Sequence, residues 1–169
     1  MVKLDTEHYK AYTQMGILYL DKEDYEKSAN CLKKALTINK YFPLALVSMG
    51  NLLFECGHAD DAIKYHKQAL AINEKELQAL IGLGNAYYDS SQPKEAIQFY
   101  KRALTLDESL SDVHYNLGNA LYLVESIEDA IKHYKAAIAL NPKKAESFYN
   151  LGNALCVKND YMNAINSYL

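Results

Sequence analysis

Tyr115-Asn116-Leu117-Gly118-Asn119-Ala120-Leu121 returns as Tyr149-Asn150-Leu151-Gly152-Asn153-Ala154-Leu155, 34 residues later. Looser copies stand at the same interval upstream: Ile81-Gly82-Leu83-Gly84-Asn85-Ala86-Tyr87, Val47-Ser48-Met49-Gly50-Asn51-Leu52-Leu53 and Thr13-Gln14-Met15-Gly16-Ile17-Leu18-Tyr19. A fixed period of this length describes a stack of like units that share a continuous core, not one globular core of unlike segments. Numbered 1 to 34, the units run 9–42, 43–76, 77–110, 111–144 and 145–169, the last reaching position 25, with 1–8 ahead of them.

Position 8 holds Gly16, Gly50, Gly84, Gly118 and Gly152, five of the seven glycines in the chain. Glycine inside a helix costs about 1 kcal/mol relative to alanine, so its return at one position calls for a steric reason. Close helix approach supplies one, with the small residues of position 20 (Ser28, Ala62, Ala96, Ala130, Ala164) and position 27 (Ala35, Ala69, Ala103, Ala137) as the expected facing partners. Larger apolar residues recur at positions 4, 7 and 11, as in Leu46, Met49 and Leu53 or Phe148, Leu151 and Leu155. Tyr12 and Met15 open that series in the first unit. A second set follows at positions 21, 24 and 28, as in Ile131, Tyr134 and Ile138. Spacings of three and four are one face of a helix, so each unit is predicted to be a helical hairpin. Turn-formers fall between the two faces at Asp24, Gly57-His58, Ser91-Gln92-Pro93, Ser126 and Asn159-Asp160, and the second helix is predicted to end at Asn39, Asn73, Asp107 and Asn141.

The pattern L-G-x2-Y, then A-x3-F/Y, then P at a 34-residue period resembles the tetratricopeptide repeat, over nearly the whole chain. Tryptophan is absent at position 4, and of the four complete units only the one with Pro142 has proline at position 32. The resemblance implies an all-α fold, an α-α superhelix (solenoid) in which the first helices line a concave groove. It further implies that positions 2, 5, 6, 9, 12 and 13 face that groove. Position 9 is then an asparagine ladder, Asn51, Asn85, Asn119 and Asn153, which Asn116 and Asn150 double at position 6. Asparagine is a mediocre helix former, and its amide offers both donors and an acceptor, which suits an extended peptide backbone. The competing reading has these asparagines bonding to neighbouring helices. Beside them the same face carries Leu44, Val47, Phe54, Ile81, Leu123, Val157 and the tyrosines Tyr88, Tyr115, Tyr122 and Tyr149, suited to recognition. Its charges are Lys10 against Asp21, Glu55, Asp89, Asp112 and Glu146, which favours a basic or neutral ligand.

The carboxylate-clamp activity known in this family would need cations where the best register here has Ile81 and Glu146 beside Asn85, Asn116 and Asn150. Without them a bound carboxylate would be buried unpaired, so that activity is rejected. The asparagine array is more similar to that of O-linked N-acetylglucosamine transferase.

No nucleophile with a base, no paired catalytic carboxylates and no glycine-rich phosphate loop appear. Asp60-Asp61 and Glu128-Asp129 open second helices, where the dipole favours carboxylates. Cys31, Cys56 and Cys156 form no CxxC pair and the five histidines no ligand motif, so neither a disulfide framework nor a metal or other cofactor is expected. A formal charge of -3 gives no general attraction to nucleic acid or acidic membranes. No apolar run nears the roughly 18 residues of a membrane span and no signal h-region opens the chain, which points to a cytoplasmic setting.

The expected function is therefore a non-catalytic protein-interaction scaffold binding an extended peptide along the groove. The alternative is a substrate-recognition or targeting arm of a larger enzyme such as a glycosyltransferase. Leu4-Asp5 matches the tail of each later unit, and the last second helix is short. Both suggest a window from a longer array whose ends are prone to self-association.

Overall fold

The computed structural model describes residues 8–169. The expected repeat tail at Leu4-Asp5 lies outside them. All regular structure among the described residues is helical: α1 His8–Asp21, α2 Tyr25–Ile38, α3 Pro43–Glu55, α4 Ala59–Ile72, α5 Leu77–Asp89, α6 Pro93–Leu106, α7 Ser111–Leu123, α8 Ile127–Leu140, α9 Ala145–Val157 and α10 Tyr161–Tyr168. Pro43 and Pro93 sit in first turns, where the missing amide hydrogen costs nothing.

The chain divides into two compact units, one through Ala86 and one from Tyr87 to Leu169. In the first, α1 packs on α2, α3 on α4, and α2 on α3. Its core joins Leu32, Met49 and Leu52 with Leu46, Val47, Ala69 and Ala79. In the second, α7 packs on α8, α9 on α10, and α6 and α8 on the hairpins that follow them. Val47, expected on the groove face, is buried in the core, while Met15, expected in the core, is 43% exposed.

Each hairpin turn closes in one way. Position 15 takes a positive φ in all five repeats: 59° at Glu23 and Ser91, 61° at Glu125 and Asn159, and 79° at Gly57. The amide of Gly57 bonds to the Phe54 carbonyl and that of His58 to the Leu53 carbonyl. These are the paired closures of a Schellman motif, and they recur at Glu125–Ser126 and Asn159–Asp160. Left-handed backbone costs a residue with a Cβ about 1–2 kcal/mol. Glu125→Gly is therefore expected to stabilise its hairpin by about 0.5–1 kcal/mol and Gly57→Ala to destabilise its own by about 1 kcal/mol. Scanning calorimetry would read the two as opposite shifts in Tm. Between hairpins, the side-chain oxygens of Asn39, Asn73, Asp107 and Asn141 accept from the amide two residues on, at 2.9–3.3 Å.

The glycines at position 8 do admit a partner helix, but what fills the space differs from the small-against-small expectation. A Cβ at Gly16 would lie 2.7 Å from Leu32, at Gly50 2.6 Å from His66, at Gly118 2.6 Å from Tyr134 and at Gly152 2.3 Å from Tyr168. Each of these four glycines receives the large residue of position 24. In the first repeat the small residue of position 20 meets its glycine as well, through backbone: Ser28 Oγ donates to the Gly16 carbonyl at 2.8 Å.

Candidate functional site

The position 24 tyrosines cross their glycines and reach the asparagines of position 9. Tyr134 donates to Asn119 Oδ1 at 2.9 Å and Tyr168 to Asn153 Oδ1 at 2.8 Å. Burial pushes the Tyr134 hydroxyl well above its ordinary range, so it stays a donor at any physiological pH. From the next hairpin, Asn150 Nδ2 donates to Asn119 Oδ1 at 2.9 Å and to the Tyr115 hydroxyl at 3.2 Å. Asn116, at the same repeat position, bonds to the Tyr100 hydroxyl. The Asn119 carbonyl thus ties its own hairpin to the next, while the Asn153 carbonyl bonds within its hairpin. The amide hydrogens on Asn119 Nδ2 have no hydrogen-bond partner among the described residues, and the network fixes which way that amide faces.

In the second unit these groups wall a recess of about 300 Å³. Tyr88, Tyr115, Tyr122 and Leu123 supply its apolar surface, and Asn119, Asn150, Asn153 and the Tyr134 hydroxyl its polar surface. No lining side chain is charged. Lys144 lies 4.1 Å from the Tyr115 ring centroid and pairs with Asp112 at 2.6 Å, which holds the ring in place and neutralises one acid of the expected groove face. Tyr149 falls outside this recess. It is 62% exposed, tilts against Tyr168 at 5.9 Å and lines a separate hollow with Phe148.

Asn51 and Asn85 belong to a second recess, in the first unit, of about 450 Å³. Phe54, Ile81, Leu20 and Tyr25 give it apolar walls, Gln78 a further amide, and Asp21, Glu23 and Glu55 carboxylates. His66 also lines it. The expected ladder is therefore distributed over two recesses of unlike chemistry; Leu123 lines one as expected, and Tyr134, Gln78 and His66 join them unforeseen. The signal for His66 lay in position 24, which reads Leu32, His66, Tyr100, Tyr134 and Tyr168.

Among the described residues no group of His, Cys, Asp and Glu side chains could hold a metal ion, and no helix is long and apolar enough to cross a membrane.

Helical hairpins in tandem, with small recesses walled mainly by first-helix residues, define a solenoid of the protein-interaction class. Tetratricopeptide repeat models match residues 9–42 and 44–79, and a TPR repeat model matches 84–124 and 125–157. The chain belongs to the tetratricopeptide repeat family. Solved structures share the fold at low identity. MamA from Desulfovibrio magneticus RS-1 superposes with a TM-score of 0.88 at 22% identity, over 96% of this chain and 92% of that one. PilF of Pseudomonas aeruginosa gives 0.86 at 24%, over 96% and 74%. YrrB, described as a TPR protein with an unusual peptide-binding site, gives 0.80 at 22%, over 92% and 80%. No curated protein matches the sequence.

Proposed function

We propose that this protein is a non-catalytic scaffold that binds an extended segment of a partner protein, with the recess of the second unit as its principal contact. The observation that carries this reading is the Asn119 amide. Its carbonyl is held twice from within the fold while its Nδ2 hydrogens lack a hydrogen-bond partner among the described residues, so it presents fixed donors beside an aromatic wall. Fixed donors take the carbonyls of an extended backbone whatever its side chains, and the tyrosines add selection through apolar or aromatic contact. Preorganisation spares the ordering cost that a mobile amide would carry on binding. YrrB, described as having a peptide-binding site on the same fold, is consistent with this role. The neutral lining of this recess suits an uncharged stretch, and the acid-lined first unit suits a basic one. A targeting arm of a larger enzyme would use the same recess, differing in what it delivers and not in how it binds.

Tyr122 separates recognition from folding, because it is half-buried, lines the recess and makes no hydrogen bond within the asparagine network. A peptide selected by phage display on the intact chain is expected to bind Tyr122→Ala at least ten-fold more weakly, about 1.4 kcal/mol or more, with an unchanged circular dichroism spectrum. Equal affinity for the folded variant would remove the recess from the binding site.

A further inference from the structure

The recess of the first unit exists because two side chains of the asparagine network are replaced there. In the second unit Tyr134, at position 24, and Asn150, at position 6, meet at Asn119. Their counterparts around Asn51 are His66 and Gly82. The imidazole is shorter than a phenol, and Gly82 contributes no side chain: a Cβ there would stand 2.4 Å from the His66 ring. His66 fills the gap between Gly50 and Gly82, is 0% exposed, and has no hydrogen-bond partner on either ring nitrogen among the described residues. At position 13 the lining also changes character, from Leu123 in the second unit to Glu55 in the first.

We propose that this recess is a subsite for a cationic side chain, arginine or lysine, of a bound protein segment. Asp21, Glu23 and Glu55 supply negative charge with no cation among the lining residues, Phe54 and Tyr25 offer ring faces for the aliphatic stem and the cationic head, and Gln78 adds an amide acceptor. An unpaired buried imidazole at the base is a polar group short of a donor or acceptor, which an incoming N–H or a water carried with it supplies. A guanidinium fits this set best, since its five donors are fixed in a plane and weakly hydrated. The inference rests on the reading of the protein as a binder of protein segments, but it concerns a different recess.

The two are tested apart by NMR titration of the intact chain with a capped Gly-Arg-Gly peptide, its citrulline counterpart and spermidine. The arginine peptide is expected to give saturable shifts at Asn51, Glu55 and Gly82 and none at Tyr115 or Tyr122, and the citrulline peptide to bind at least ten-fold more weakly. Glu55→Gln should weaken the arginine peptide about ten-fold. His66→Tyr, which installs the residue of the later repeats and closes the recess, should abolish its shifts while the chain stays folded. Equal binding of arginine and citrulline peptides, unchanged affinity in folded His66→Tyr, or saturation by spermidine but not by the arginine peptide would overturn the proposal. Failure here leaves the Tyr122 experiment untouched, and failure there leaves this one standing.

Discussion

Tyr134→Ala is expected to destabilise the second unit by about 3–5 kcal/mol, the range for emptying a buried aromatic site. Tyr134 is 2% exposed, its ring occupies the space left by Gly118, and its hydroxyl holds Asn119. Truncation removes all three at once: the packing on α7, the filling of the glycine gap and the anchor of the network. Tyr134→Phe should cost only about 1 kcal/mol, because Asn119 Oδ1 still accepts from Asn150. In a solenoid each hairpin draws most of its stability from its neighbours, so a loss of 3–5 kcal/mol at one position is comparable to the whole stability of an ordinary domain. Hydrogen exchange should show protection lost across α7, α8 and α9 together. A wild-type exchange pattern in Tyr134→Ala would mean that the tyrosine does not link these helices.

Acid should unfold the protein through two imidazoles. Desolvation lowers the pKa of His66 from 6.5 to about 4. His133 is likewise lowered to about 4, first by desolvation and then by repulsion from His114, Lys132 and Lys101, with Asp129 acting in the opposite direction. His114 Nε2 lies 3.1 Å from the Glu108 carbonyl, which can only accept, so in the neutral pair His114 Nδ1 accepts the proton carried by His133 Nδ1 at 2.9 Å. Both shifted histidines are neutral in the folded chain and gain protons more readily when it unfolds. Their stabilising contribution is complete above about pH 6.5, declines as the unfolded chain takes up protons, and is lost by about pH 4, where the folded chain protonates as well. A depression of this size corresponds to about 3 kcal/mol for the fully buried His66 and to less for the half-buried His133, whose charge solvent partly screens. Urea midpoints measured from pH 7.5 to pH 4.5 should fall steeply in the wild type and less steeply in His66→Tyr. Parallel profiles would show that His66 does not carry the acid sensitivity.

How much of this was legible in the sequence depends on whether a feature repeats. The glycines of position 8 announced close helix contact, but not that Gly16, Gly50, Gly118 and Gly152 receive the position 24 side chain, because the period ranks small residues together without saying which pair meets. The asparagines of position 9 stood out as poor helix formers, yet their tyrosine partners lie 15 residues on, in a series that reads as core by spacing alone. Gly57 alone advertised the left-handed turn that Glu23, Ser91, Glu125 and Asn159 also adopt, since helix closure imposes that conformation whatever the residue. Asp112 looked free because Lys144, its partner, belongs to the linker before the next hairpin. His66 breaks the series of position 24 and so was visible, but only the structure shows that the break opens a recess.

In the proposed complex Asn119 and its tyrosine neighbours grip an extended segment. The most direct measurement is a crystal structure of the intact chain with its best phage-selected peptide. The expected result is an extended backbone with a carbonyl oxygen within hydrogen-bond distance of Asn119 Nδ2 and a side chain seated between Tyr115 and Tyr122. A peptide bound on the second helices α8 or α10, with the Asn119 amide unengaged, would contradict it.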